Sequence, residues 1–104
     1  MSDKRRARIQ ATLATIRAEY LAELPAQIER LADAAQRAPA DAAALGEAAA
    51  EAHRIRGTAG SLGLWEIGNA AGRLEDALDR AAAGDPSWVT IAAEVSTLVA
   101  LMRR

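Results

Sequence analysis

Cysteine and phenylalanine are both absent from this chain of 104 residues, which has only two tryptophans and one tyrosine. The lack of cysteine excludes disulfides, thiol chemistry and cysteine-ligated zinc sites. Only three prolines and seven glycines interrupt a sequence rich in alanine, a composition that favours helices over sheets. We therefore expect an all-α protein without strands.

Long apolar runs are also missing. No stretch approaches the roughly 20 apolar residues that cross a bilayer, and the N-terminus lacks the apolar core of a signal peptide. The formal net charge is −1, with acids and bases mixed along the chain, so long-range attraction to nucleic acid or anionic membranes is weak. We interpret the one basic run as a solvated helix start (Lys4, Arg5, Arg6 and Arg8). These absences favour a cytoplasmic protein that binds neither nucleic acid nor membrane.

Apolar residues at helical spacing predict four helices. The first extends from about Arg5 to Gln36, and Pro25 should kink or divide it near Tyr20 to Leu24 because proline removes a backbone donor. The second follows Asp41, whose carboxylate suits the positive end of the helix dipole. It should end at about Leu62, before a glycine that can take positive φ.

A third apolar stripe follows Gly63 and ends at Gly84. Asp85 and Pro86 then predict the start of the fourth helix, with aspartate as N-cap and proline at the first helical position. The connections are short, so successive helices should be antiparallel. We expect a single domain over residues 1–104, an up-down antiparallel four-helix bundle.

The only histidine, His53, lies on the second helix. A helical projection places it away from the apolar side, which is formed by Leu45, Ala48, Ala52, Ile55 and Ala59. The residues on its own side are all small: Gly46, Ala49, Ala50, Gly57 and Gly60. Glycine within a helix costs about 1 kcal/mol relative to alanine, so this bare strip predicts a close approach by a partner.

Enzyme chemistry finds little support in the sequence. It has no P-loop, no recognisable catalytic triad and no cluster with metal-ligand spacing. A lone histidine is nevertheless a competent nucleophile, and a nitrogen that accepts a phosphoryl group needs solvent access and nearby cations. Arg54 is adjacent to His53, and Arg56 follows one helical turn later.

The run from His53 to Gly63, HRIRGTAGSLG, resembles the signature of histidine-containing phosphotransfer (HPt) domains, His-x-Leu-Lys-Gly-x-Ala-x-x-Leu-Gly. Leu74-Glu75 resembles that family's Leu-Glu pair, and the segment from Tyr20 to Pro25 resembles its first-helix pattern. The departures are Ile55 for leucine and Arg56 for lysine, which keeps the charge but presents a planar fork.

The resemblance implies a four-helix bundle that is phosphorylated on Nε2 of His53 and exchanges the phosphoryl group with an aspartate of a response-regulator receiver domain. It also implies a sensor or hybrid histidine kinase as a second partner, no binding of ATP and no kinase activity. The chain would be a phosphotransfer intermediate rather than an independent enzyme. It would need no cofactor of its own, since Mg²⁺ would come from the receiver.

From the resemblance and the bare strip, we expect Arg56 and Arg54 to steady the phosphate. The expected receiver-docking surface consists of Ala49, Ala50, Gly57, Gly60 and Trp65. Trp65 can instead belong to the edge of the core, and Glu75 can pair with a base on a neighbouring helix or be solvated. The charge-mixed surface favours a monomer.

Two other functions fit the same residues. One is a non-catalytic adaptor with an HPt-like fold that regulates a kinase or receiver by binding. The other is a metal or haem site at His53, for which a single histidine without cysteine makes a poor ligand set. Replacing His53 by alanine would leave the adaptor's binding unchanged.

Overall fold

The computed structural model describes residues 2–103, which form four α-helices and no strand. The helices are α1 (Asp3–Arg37), α2 (Ala42–Ser61), α3 (Trp65–Ala82) and α4 (Trp88–Met102), with a 3₁₀ turn at Ala38–Ala40. Each helix packs against the next along the chain, and α1 also packs against α4. The predicted four-helix bundle is confirmed. None of the helices within residues 2–103 combines the length and the hydropathy that a membrane span requires.

Capping residues set the turns around α2. The side chain of Asp41 accepts hydrogen bonds from the backbone N–H groups of Ala43 and Ala44, so it is the N-cap of α2. At the other end, Gly63 has φ +75° and donates its N–H to Gly60, while the N–H of Leu64 bonds to the carbonyl of Ala59. This pair of bonds is a Schellman motif, which confirms the predicted stop after Leu62.

The sequence predicts a kink or a division of the first helix near Pro25, and only the division is excluded. Pro25 does not divide α1, which is continuous over 35 residues. Pro25 has no N–H to donate to the carbonyl of Leu21, four residues earlier. Both residues are exposed, so water can donate a hydrogen bond to that carbonyl. The predicted bend at this point stays a prediction.

The start of α4 is also displaced. Its N-cap is Ser87, whose side chain accepts from the N–H of Thr90, rather than Asp85. Asp85 instead belongs to the end of α3, because its N–H donates to the carbonyl of Arg80. The preceding residue, Gly84, has φ +91°. The chain therefore needs two further residues before it can begin a new helix.

The core is built from a few large side chains and many alanines. The fully buried large residues are Leu24, Ile28, Leu31, Ile55, Leu74, Leu78 and Leu98. Of the side predicted for α2, four residues are buried and Leu45 is half-buried, while Ala44 is buried instead. Small residues bring α2 and α3 close together, since a Cβ atom built on Gly68 would lie 3.3 Å from the backbone nitrogen of Gly60.

Helix α1 is far longer than its neighbours. Its 35 residues span about 52 Å, whereas the 18 residues of α3 span about 27 Å, and the longest dimension of the molecule is 54 Å. The backbone carbonyl of Leu62, at the end of α2, accepts a bond of 2.8 Å from Nε of Arg17. Every residue from 3 to 19 is exposed, and the part of α1 before Ile16 projects beyond the bundle.

Candidate functional site

His53 stands on the outer side of α2. Its side chain is 76% exposed, while Ala52 and Ile55 beside it are fully buried. The alternation follows from helical geometry, because residues that face the core recur every three or four positions. The imidazole is thus fixed at its base by a rigid helix and open to solvent at its tip, as the sequence predicts.

Glu75 on α3 contacts one nitrogen of this imidazole. Its Oε2 lies 2.6 Å from Nδ1 of His53, and the Glu75 side chain is only 11% exposed. An ionised carboxylate can only accept hydrogen bonds, so Nδ1 must carry the hydrogen. In the neutral ring this leaves the lone pair on Nε2.

Arg56 holds the other oxygen of the same carboxylate. Its Nη1 donates to Oε1 of Glu75 at 2.9 Å and lies 3.9 Å from Asp76. A Cβ atom built on Gly72 would lie 3.2 Å from Nε of Arg56. Because Gly72 has no side chain, the Arg56 side chain can lie against α3 at this position and reach Glu75.

The charges of this cluster reinforce each other. Burial raises the pKa of the Glu75 carboxyl, but hydrogen bonds from Arg56 and His53 lower it, and the resulting pKa lies below the ordinary 4.5. The hydrogen bond to Glu75 in turn raises the pKa of the Arg56 guanidinium. Glu75 is thus ionised near neutral pH, which supports its role as acceptor for Nδ1.

A groove between α1 and α2 borders His53 on its other side. It has a volume of about 630 Å³, and α2 contributes His53, Arg54 and Gly57 to its lining. From α1 come Ile16, Glu19, Tyr20 and Glu23. The hydroxyl of Tyr20 is buried and makes no hydrogen bond within residues 2–103, and burial raises its pKa. The groove thus combines apolar walls with carboxylates next to the histidine.

The predicted site residues lie on different sides of His53. Arg54 donates to Glu51 on its own helix at 2.6 Å and shares the groove with His53 and Gly57. Arg56 lies on the opposite side, in a depression that also contains Gly60 and Trp65. The two predicted phosphate-steadying arginines therefore both bind carboxylates in this structure.

The expected docking residues differ in exposure. Gly57 is exposed, and a Cβ atom on Gly57 or Gly60 would meet nothing within 4 Å. Trp65 is 66% exposed, so it is a surface residue rather than a core residue. Ala50 is exposed, whereas Ala49 is half-buried and packs against the core.

Sequence reasoning did not assign Glu75 to His53. The two residues are 22 positions apart, and no local pattern links them. The available signal was the turn between α2 and α3: in an antiparallel pair, residues equally distant from the turn face each other, and Leu64 is the midpoint between His53 and Glu75. Gly72 and the α1 side of the groove, including Tyr20, were also missed.

The residue types that commonly bind metal ions do not form a cluster in the part of the chain that the structure describes. Within residues 2–103, no three histidine, aspartate or glutamate side chains converge in a way that could hold an ion. The expectation that the chain needs no metal of its own stays a prediction.

Comparison with known proteins gives one match. A family model described as Hpt domain matches residues 15–104 of the chain. No curated protein and no solved structure matches it significantly. The matched range includes His53, Glu75 and all four helices, apart from the first twelve residues of α1.

Proposed function

Because the chain belongs to the Hpt domain family, we propose that it is a histidine phosphocarrier that accepts a phosphoryl group on Nε2 of His53. Hpt domains perform histidine phosphotransfer in phosphorelays, and their partners are response regulators and histidine kinases. The observation that carries the assignment to His53 is its hydrogen bond to Glu75, which leaves Nε2 as the exposed nucleophile.

The transfer that we propose is reversible. The Nε2 lone pair attacks the phosphorus of an aspartyl phosphate on a receiver domain, an N–P bond forms, and the P–O bond to the aspartate breaks. The released carboxylate keeps the electrons of that bond. In the return direction an aspartate oxygen attacks, and His53 leaves with its Nε2 lone pair.

Glu75 supports both directions through charge. When the imidazole is phosphorylated and retains its Nδ1 hydrogen, its ring carries a positive charge, and the Glu75 carboxylate at 2.6 Å neutralises that charge without moving. Arg56 holds the carboxylate in place from its other oxygen. A direct role of Arg56 and Arg54 in steadying the phosphate remains part of the proposal, since each has several donors besides those bound to carboxylates.

The partner supplies the rest of the chemistry. Phosphoryl transfer depends mainly on in-line positioning and charge neutralisation, so a nucleophile on a rigid helix is a sufficient contribution from this chain. We propose that the receiver domain brings Mg²⁺ and docks over the surface around Gly57. We also propose a cytoplasmic location, where kinases and receiver domains meet.

The test is to incubate the protein with a phosphorylated receiver domain and with a small phosphodonor, and to measure its mass. We expect one phosphoryl group that is lost in acid and retained in base, as for phosphohistidine. His53→Gln is the matched control and should not be labelled. If neither protein is labelled while His53→Ala binds the receiver as well as the wild type, the adaptor function replaces this proposal.

A further inference from the structure

The first part of α1, residues 3–19, carries an exposed apolar stripe, whose last residue, Ile16, lines the groove that α1 forms with α2. Ile9, Leu13 and Ile16 are 43%, 41% and 43% exposed, and their spacing of four and three residues places them on one side of the helix. This side continues the stripe that the bundle buries from Leu24 onwards. Such a seam on a lone helix is typical of coiled-coil pairing.

The charges beside the stripe identify the occupant as a second copy of the same segment. Arg5 and Glu19 lie along one edge of the stripe, while Asp3 and Arg17 lie along the other. If two copies pair antiparallel about residue 11, Arg5 faces Glu19 of the other copy. In the same register, Asp3 faces the second Arg17, so both edges are complementary.

The apolar residues agree with this register. Ile9 of one copy meets Leu13 of the other, and the uncharged Gln10 and Thr12 each face their own counterparts at the centre. A symmetric pairing of this kind is self-complementary, as a two-fold interface requires.

In a parallel pairing, the same residues would not be complementary. It would bring two copies of the basic run together, with Arg6 on the seam facing its own counterpart. In the antiparallel arrangement Arg6 instead meets Ile16, which the aliphatic part of the arginine side chain can cover. The sign pattern therefore favours one orientation.

We propose that this protein forms an antiparallel homodimer through residues 3–19 of α1, with the two bundles at opposite ends of the paired helices. All residues of this segment are exposed, but Ile16 and Glu19 also line the groove beside His53, so the first residues of the second copy would lie next to the end of α2. Arg17 donates its Nε to Leu62 and has further N–H groups that a carboxylate can use. Seventeen residues extend about 25 Å, so the dimer is reversible and dissociates on dilution. This proposal replaces the expectation of a monomer.

Sedimentation equilibrium of the full chain over a range of concentrations tests the interface. We expect the mass to rise from one to two chains in the wild type and to stay at one chain in Leu13→Asp. Val89→Asp is the matched control, because Val89 is 83% exposed on α4 and outside the segment. A wild type that stays at one chain overturns the proposal, and so does equal loss of association in both variants.

Charge reversal tests the orientation. Arg5→Glu should raise the dissociation constant about tenfold or more, because it places glutamate opposite Glu19. Adding Glu19→Arg to the same chain should restore the wild-type value, since the pair is then reversed but still complementary. A double variant that associates no better than Arg5→Glu alone contradicts the antiparallel register.

Discussion

Glu75 fixes which nitrogen of His53 carries the hydrogen. A neutral histidine side chain in water prefers the hydrogen on Nε2, the opposite of what the Nε2 nucleophile that we propose needs. We therefore expect Glu75→Ala to shift the ring towards the Nε2–H tautomer and to slow phosphorylation about tenfold or more. Nitrogen-15 NMR of the imidazole reports the tautomer, and quench-flow kinetics reports the rate. A slowed transfer with an unchanged tautomer would assign Glu75 to charge neutralisation alone.

The lowered pKa of Glu75 predicts a pH-dependent stability. A carboxyl whose pKa is depressed in the folded state stabilises the fold above its unfolded pKa, and this contribution is lost as the pH falls through the folded value. Glu75→Gln should therefore unfold at lower denaturant than the wild type at neutral pH. The difference should begin to shrink below the ordinary pKa of 4.5 and disappear below the lower pKa of the folded state. Denaturant unfolding monitored by circular dichroism at several pH values measures it, and a constant difference would contradict the prediction.

Gly57 provides clearance next to His53. A Cβ atom at this position meets nothing within 4 Å, so Gly57→Leu should fold normally. The added side chain would hold the receiver away from the imidazole and slow transfer about a hundredfold. Gly46→Leu is the matched control, because Gly46 is also exposed on α2 with open space around it and lies about three turns from Gly57 and two from His53. Equal transfer rates in both variants would remove Gly57 from the docking surface.

At the scale of helices, the contact between α2 and α3 depends on Gly68. A methyl group there would lie 3.3 Å from a backbone atom of Gly60, which cannot move independently of its helix. Gly68→Ala should therefore lower the free energy of unfolding by about 1–3 kcal/mol. Gly46→Ala should raise it by about 0.5–1 kcal/mol, because its site is open and alanine is the better helix former. Thermal and denaturant unfolding of both variants check the opposite signs.

Local sequence patterns predicted the helices. They did not predict all of the features that depend on how one helix is aligned with another. Apolar spacing and the glycines at 63 and 84 were sufficient for the four helices and for the ends of α2 and α3, because both act over a few residues. Asp85 was wrongly predicted as the N-cap of α4, because it lies between the end of α3 and the start of α4. Only the folded chain shows that its N–H bonds to α3. The exposure of Leu13 could not be predicted either, because it depends on which part of α1 the end of α2 lies against.

The same distinction separates the parts of the site. His53 and Gly57 could be predicted because they belong to one contiguous motif on one helix. The role of Glu75 could not, since it requires the alignment of α2 with α3. The space at Gly72 for Arg56 requires both that alignment and a side-chain conformation.

At the scale of the whole molecule, the bundle and the projecting part of α1 should be energetically separate. The buried core of α1 begins at Leu24, and residues 3–19 are all exposed. A variant that lacks residues 2–12 should therefore keep its cooperative unfolding, with a free energy within about 1 kcal/mol of the wild type at low protein concentration. Circular dichroism should show less helix per molecule. Loss of the cooperative transition would show that the bundle needs this segment.

The two halves of the histidine site come from different helices, and this makes the imidazole a probe of correct assembly. If α3 separates from α2, His53 loses the carboxylate that orients it, while the histidine itself stays on a helix and exposed. In the proposed function, a misassembled copy would then accept a phosphoryl group more slowly than a native one. The same 2.6 Å contact therefore links the reactivity that we propose for His53 to the packing of α2 against α3.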